Sequence, residues 1–158
     1  MKFSAQEEYG LRCLLQIARK GEGASVTILE ISKLEGLTQP HVAKLMMILR
    51  KEGFITSTRG QTGGYTLARP TSEIVLGDVL TALGGKLYDA EFCTKHSGYN
   101  TICTHDIDCS VRSLWQVVQT AVDDVVTKIT LADMLQQKIG TNVQLFNQPD
   151  RLKAPIGS

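Results

Sequence analysis

Residues Thr38 to Pro70 read TQPHVAKLMMILRKEGFITSTRGQTGGYTLARP, and a helical period gives way to a strand period inside them. Val42, Leu45, Met46 and Leu49 recur at the spacing of one helix face. Thr38 stands where a cap belongs, and Pro40 falls in the first turn, where a missing N–H costs little. The opposite face carries Gln39, His41, Lys44, Arg50 and Lys51. Gly53 ends the helix. Phe54–Thr58 and Tyr65–Ala68 then read as strands, and Pro70 stops the second. Between them Arg59-Gly60-Gln61-Thr62-Gly63-Gly64 offers the glycines that a tight exposed turn needs.

Upstream, Thr27 and Glu30 make a capping box ahead of Ile31 and Leu34, and Gly36 closes that short helix. Two short helices about a glycine-centred turn, the second basic outside, spell a helix-turn-helix. A basic-tipped hairpin directly after it reads as a wing. The recognition helix can enter the major groove while Arg59 reaches the flanking backbone or minor groove. A structural hairpin with a solvated Arg59 is the plainer alternative, and the preceding helix pair argues against it. The predicted DNA-contacting set is Thr38, Gln39, Pro40, His41, Lys44, Arg50, Arg59, Gln61 and Thr62.

Before this pair, residues 4–19 predict a helix, with Ser4 and Glu7 as a capping box and a core stripe of Leu11, Leu14, Leu15 and Ala18. Cys13 inside it reads as a buried small hydrophobe. After the hairpin, Gly77–Leu83 predicts a short helix, broken by Gly84-Gly85. Ser110 opens the longest helix. Val111, Trp115, Val118, Val122, Val125 and Ile129 form a heptad-like seam on it, suited to the same helix of a second subunit. Thr130 and Asp133 announce a last short helix over 131–138. Periodicity then fades, and Pro149 and Pro155 mark a mobile tail. The expected fold is mainly α with a small β-hairpin. A winged helix-turn-helix domain spans 1–85, a cysteine-rich loop 86–109, a dimerisation helix and short helix 110–138, and a tail 139–158.

The chain has 158 residues and a net charge of +1, so total charge does not announce nucleic acid. Its distribution does. Between Thr38 and Arg69 lie Lys44, Arg50, Lys51, Arg59 and Arg69 against Glu52 alone, whereas Asp89, Glu91, Asp106 and Asp108 outweigh Lys86 and Lys95 further on. No apolar run is long enough to span a membrane, and no signal peptide is evident, so a cytoplasmic site is expected.

The stretch Phe92–Arg112, FCTKHSGYNTICTHDIDCSVR, has no strand or helix period and reads as a long loop. It holds Cys93, Cys103 and Cys109, three of the four cysteines, along with His96 and His105. Thiols of a cytoplasmic chain stay reduced, and three in one loop would leave one unpaired, so disulfides are disfavoured. Zinc sites usually pair cysteines two to four residues apart. The gaps here are nine and five residues, and irregular spacing on a loop suits an iron–sulfur cluster slightly better than zinc. No motif joins base, nucleophile and pocket, so an enzyme is not expected. A cluster carrier would need the loop but not the basic wing.

Taken in order, the helix pair, the wing motif R-G-x-x-G-G-Y-x-L-A-R-P (Arg59–Pro70), L-G-D-V-L-x-A-L (Leu76–Leu83), the three-cysteine loop and the long helix resemble the IscR/NsrR-like bacterial regulators. The resemblance covers about residues 1–138. D-C-S-V-R-x-L-W (Asp108–Trp115) and I-T-L-A-D-M-L (Ile129–Leu135) look most like members that control iron–sulfur cluster assembly. It implies a homodimeric winged-helix transcription factor, a repressor by expectation, on a double-stranded DNA operator. It implies Cys93, Cys103 and Cys109 as ligands of a 2Fe–2S or 4Fe–4S cluster and a response to cluster status, redox or nitric oxide. Two departures stand out. The first cysteine gap is longer than the family's, with an insertion containing His96, Gly98 and Tyr99. Arg112 stands where one branch has a ligating histidine. A second branch uses a carboxylate early in the first helix; Glu8 matches it and is the expected fourth ligand, with His105 as the local alternative. The remaining reading is a cofactor-free or zinc-binding thiol-redox regulator of the same fold.

Overall fold

The computed structural model describes residues 3–60, 63–97 and 109–139. Helix α1 (Ala5–Arg19) opens with the expected capping box: Glu7 N donates to Ser4 Oγ at 3.2 Å, and Ser4 N to Glu7 Oε2 at 2.7 Å. Helix α2 (Ile28–Glu35) repeats the device with Thr27 and Glu30, whose carboxyl is held below its usual range by the Thr27 N–H and hydroxyl. Gly36 ends α2 at φ 66°, a left-handed geometry that favours glycine and turns the chain sharply into α3 (Gln39–Lys51). The Ser32 hydroxyl donates to Leu37 O and braces that turn.

Strands β1 (Ile55–Thr58) and β2 (Gly64–Leu67) pair antiparallel, with Ile55 opposite Leu67 and Thr58 opposite Gly64. Val26, just before α2, adds a bridge to Tyr65 through hydrogen bonds of 2.9 and 2.8 Å. The hairpin is thereby fixed to the helix pair rather than hanging from α3 alone.

A short 3-10 turn (Thr71–Glu73) leads to α4 (Leu76–Gly84). The core gathers one face from each element: Cys13, Leu14 and Ile17 of α1, Ile31 of α2, Val42, Leu45, Met46 and Leu49 of α3, Phe54 and Ile55, and Val79 and Leu83 of α4. The centre of the α1 face lies on Cys13, Leu14 and Ile17, with Leu11 and Leu15 only half-buried, a rotation from the expected stripe. Gly10 lets α1 approach α4 closely, since a Cβ there would strike the Leu83 side chain.

Helix α5 (Phe92–Lys95) is a single turn inside the stretch read as an irregular loop. Helix α6 (Ser110–Val126) begins where expected, and α7 (Leu131–Leu135) carries the Thr130–Asp133 capping box. Past α6 the chain returns to the core: Leu76 N donates to Ile129 O and Leu131 N to Ile74 O, both at 2.9 Å, and Leu131 is fully buried. Among the described residues no helix is long and apolar enough to cross a membrane. Apart from Ile139, the segment read as a mobile tail lies outside the described residues.

Candidate DNA-binding face and cysteine site

The buried positions of α3 all fall on one side, so its opposite side faces outward. Thr38, Gln39, Pro40, Lys44 and Arg50 are exposed, as is Arg59 at the end of β1. Thr38 makes no side-chain capping hydrogen bond. The expected contacts Gln61 and Thr62 lie outside the described residues.

His41 is placed differently. It is half-buried, its ring edge-on to Tyr9 of α1 with centroids 5.4 Å apart. The Arg12 guanidinium lies 5.5 Å from the centre of the same Tyr9 ring. Arg12 Nε donates to Glu35 Oε2 at 2.6 Å, and Gln16 donates to the other carboxylate oxygen. Burial pushes the Glu35 carboxyl up, but the hydrogen bonds from Gln16 and Arg12 outweigh it and the net direction is down. His41 thus joins a chain of contacts that seats the recognition helix on α1 and α2.

Met47 was missed by sequence reasoning. It is 57% exposed and lies between Pro40, Lys44 and Lys51 on the outward face of α3. An apolar side chain three residues after Lys44, outside the Val42–Leu49 stripe, was the available signal. Apolar side chains on such faces can meet thymine methyl groups.

The second site forms where the chain between α4 and α6 meets α6. Cys93 lies on α5 and Cys109 is the N-cap of α6; both are half-buried free thiols. The Cys109 sulfur accepts from Arg112 N at 3.3 Å, taking the place of a capping oxygen. Tyr88 senses both. Its phenol is pushed up by desolvation, then by the charge and hydrogen bond of Cys93, with a further contribution from Cys109. One tyrosine side chain therefore lies within electrostatic reach of both cysteines and of Arg112.

An aromatic stack holds α5 in place. Phe92 stacks on His96 with centroids 4.2 Å apart and packs against Tyr88 at 5.3 Å and Trp115 at 6.5 Å. His96 is turned back on its own turn, its Nδ1 2.8 Å from Phe92 O. Cys103 and His105 lie outside the described residues. Among the described residues no three potential metal ligands converge. Two soft sulfur donors within reach of one tyrosine nonetheless fit a thiolate-bound metal or cluster.

Glu8 is exposed on α1 and acts electrostatically on Arg12. None of its described contacts reaches Cys93 or Cys109. Its neighbours hold the end of α4 instead: Gln6 donates to Leu83 O, and the Glu7 side chain lies against Gly84. Cys13 is fully buried in the core, and burial pushes its thiol up to about 12.

The expected α6 seam divides in two. Trp115 turns inward to Phe92, and Ile129 packs with Leu76. Outward, Val111 is 60% exposed, Leu114 55% and Val117 67%. Helix α6 is apolar over more than half its circumference. Val111 belongs to the expected seam and Leu114 and Val117 do not, while Val118, Val122 and Val125 of that seam are half-buried.

Comparison with known proteins agrees with this architecture. Residues 3–137 match the model of the Rrf2 family, described as an iron-dependent transcriptional regulator. The Rrf2 protein of Nitratidesulfovibrio vulgaris is 35% identical over 136 residues, covering 86% of this chain and 88% of its own. The solved structure of IscR from T. potens superimposes with a TM-score of 0.69 at 32% identity, over 87% of this chain and 88% of that one. CymR, the global cysteine regulator of B. subtilis, superimposes with a TM-score of 0.70 at 26% identity, over 87% of this chain and 98% of that one. These relatives are regulators rather than enzymes, and the chain belongs to the Rrf2 family of winged-helix, DNA-binding transcriptional regulators.

Proposed function

We propose that this regulator binds its operator as a homodimer and acts as a repressor whose DNA affinity responds to an iron–sulfur cluster. Cys93, Cys103 and Cys109 hold the cluster, with Glu8 as the fourth donor and His105 as the alternative. The observation that carries this reading is that Tyr88 is hydrogen-bonded with Cys93 and lies within electrostatic reach of Cys109, the N-cap of α6. A 2Fe–2S or 4Fe–4S cluster bound there supplies a centre open to redox change and to nitric oxide.

The chain's own residues supply the linkage. Cys109 caps α6, so a pull on its sulfur acts on the helix start. The far end of α6 is stitched to Ile74–Leu76, and α4 packs on α1 and α3. Two arrangements of α6 therefore set two placements of α3 relative to a dimer mate. Occupancy of the thiols shifts DNA affinity only by its differential affinity for those arrangements. Thr38, Gln39, Lys44 and Met47 face the major groove, Arg50 and Arg59 the flanking phosphates, and Gln61 and Thr62 complete the wing.

The likeness to CymR, a cysteine regulator, favours a second reading, in which the free Cys93 and Cys109 act as reduced thiols or hold zinc. Anaerobic purification followed by operator titration separates the two. A brown protein with visible absorption, whose operator affinity changes when the colour is bleached, supports the cluster. A colourless protein whose affinity changes only with thiol oxidation supports the second reading.

A further inference from the structure

Gln119 is the one polar residue buried as a whole among the described residues, 8% exposed in the middle of α6. Its Oε1 accepts from Tyr88 N at 3.0 Å, across 31 residues of sequence. Its Nε2 donates to Asp123 Oδ1 at 2.8 Å, and the other Asp123 oxygen is 3.4 Å from Lys86 Nζ. Both ends of one amide are thus spent on tying residues 86–88 to α6. That segment is the root from which the chain reaches Cys93. Tyr88 is also the residue whose phenol hydrogen-bonds with Cys93 and lies within electrostatic reach of Cys109, and whose ring packs on Phe92.

We propose that Gln119 is the positioning residue of the cysteine site. Its amide seats the Tyr88 backbone on α6 and so fixes where Cys93 stands relative to Cys109, before any metal arrives. The two hydrogen bonds of the amide are partly buried on a residue that is itself buried, so water replaces them only in part when one partner is lost. Thiols held near their bound positions lose less freedom on binding, which raises affinity without a new contact to the metal. Groups outside the ligand set that orient ligands typically change metal affinity by about ten- to a hundredfold when removed. Gln119 contacts neither cysteine in this arrangement; it acts through Tyr88. The proposal rests on the reading of Cys93 and Cys109 as metal-binding thiols.

The test uses the reduced full chain, Co2+ alone as the probe, and two readouts. One is the thiolate-to-cobalt absorption band. The other is the emission of Trp115, the single tryptophan, which packs against Phe92 beside the site. Gln119→Leu keeps the volume and loses both hydrogen bonds. Gln119→Glu combined with Asp123→Asn rebuilds the amide–carboxylate pair with the roles exchanged and keeps an acceptor for Tyr88 N. Gln119→Leu should weaken Co2+ binding by about ten- to a hundredfold and move Trp115 emission to the red, and the double variant should recover both. Parent-like affinity and emission in Gln119→Leu overturn the proposal, as does a double variant that recovers neither. If Gln119→Leu does not fold, the double variant decides alone: parent-like behaviour supports the clamp and its loss overturns it. If the parent gives no thiolate–cobalt band, the metal reading of the cysteines fails. Trp115 emission across the same variants then supports or overturns the clamp by itself.

Discussion

Leu114→Asp tests the outward stripe of α6 at its middle position, a side chain more than half exposed in the protomer. Val111, Leu114 and Val117 are 60%, 55% and 67% exposed, so a second helix would cover more than half of each. Full burial of such a side chain contributes about 1.5–3 kcal/mol, so covering the exposed part contributes roughly 1–2 kcal/mol apiece. Three side chains from each of two symmetric subunits give a gross gain of about 6–12 kcal/mol. Part of that is consumed by the loss of rotational and translational freedom on association. Leu114→Asp removes about 1–2 kcal/mol from each subunit and adds an unpaired buried carboxylate, worth at least another 1–3 kcal/mol. Counted twice across a two-fold axis, that weakens the dimer by about a thousandfold or more. Sedimentation velocity across a concentration series measures it, with thermal unfolding to confirm that the protomer survives. A folded Leu114→Asp variant that dimerises with the parent's dissociation constant would show that α6 does not meet a second copy through this stripe.

Lys44→Ala and Arg59→Ala should each weaken operator binding while leaving the fold intact, and each lost phosphate contact should lower the salt slope of binding by about one; parent-like slopes in both would remove α3 and the wing from the interface. Glu8→Ala should leave iron bound but spectrally altered, because a carboxylate is a harder donor than thiolate; a changed spectrum in His105→Ala with none in Glu8→Ala would give the fourth position to His105. Cys13, pushed up to about 12 from a usual value of 9.0, contributes stability that is whole below about pH 9 and is lost as pH climbs toward 12. Cys13→Ala should flatten that alkaline limb in denaturant titrations, and an unchanged limb would mean that the thiolate is not penalised by the core.

The DNA-binding half of the molecule was legible because local signals agreed with one another. The capping boxes at Ser4, Thr27 and Thr130 marked helix starts, Gly36 marked a turn, and the spacing of Val42, Leu45, Met46 and Leu49 fixed the buried side of α3. Where α6 faces was not legible. A helix apolar over more than half its surface offers several stripes, and the choice was made by Phe92, which draws Trp115 inward, and by Leu76, which takes Ile129. The single turn of α5 has too few residues to show a period. Cys93 and Cys109 were visible by residue type, but Tyr88 and Gln119 were not, since their roles arise from a contact 31 residues apart. The packing of His41 was hidden for the same reason: its type suits DNA, and only the fold reveals Tyr9 beside it.

The most direct test counts iron, acid-labile sulfide and zinc per chain on protein purified without oxygen, for the parent and for Cys13→Ala, Cys93→Ala, Cys103→Ala and Cys109→Ala. The account predicts iron with matching sulfide in the parent and in Cys13→Ala, and loss of both in each of the other three variants. Stoichiometric zinc without sulfide in the parent, or full iron and sulfide in any of those three variants, would contradict it.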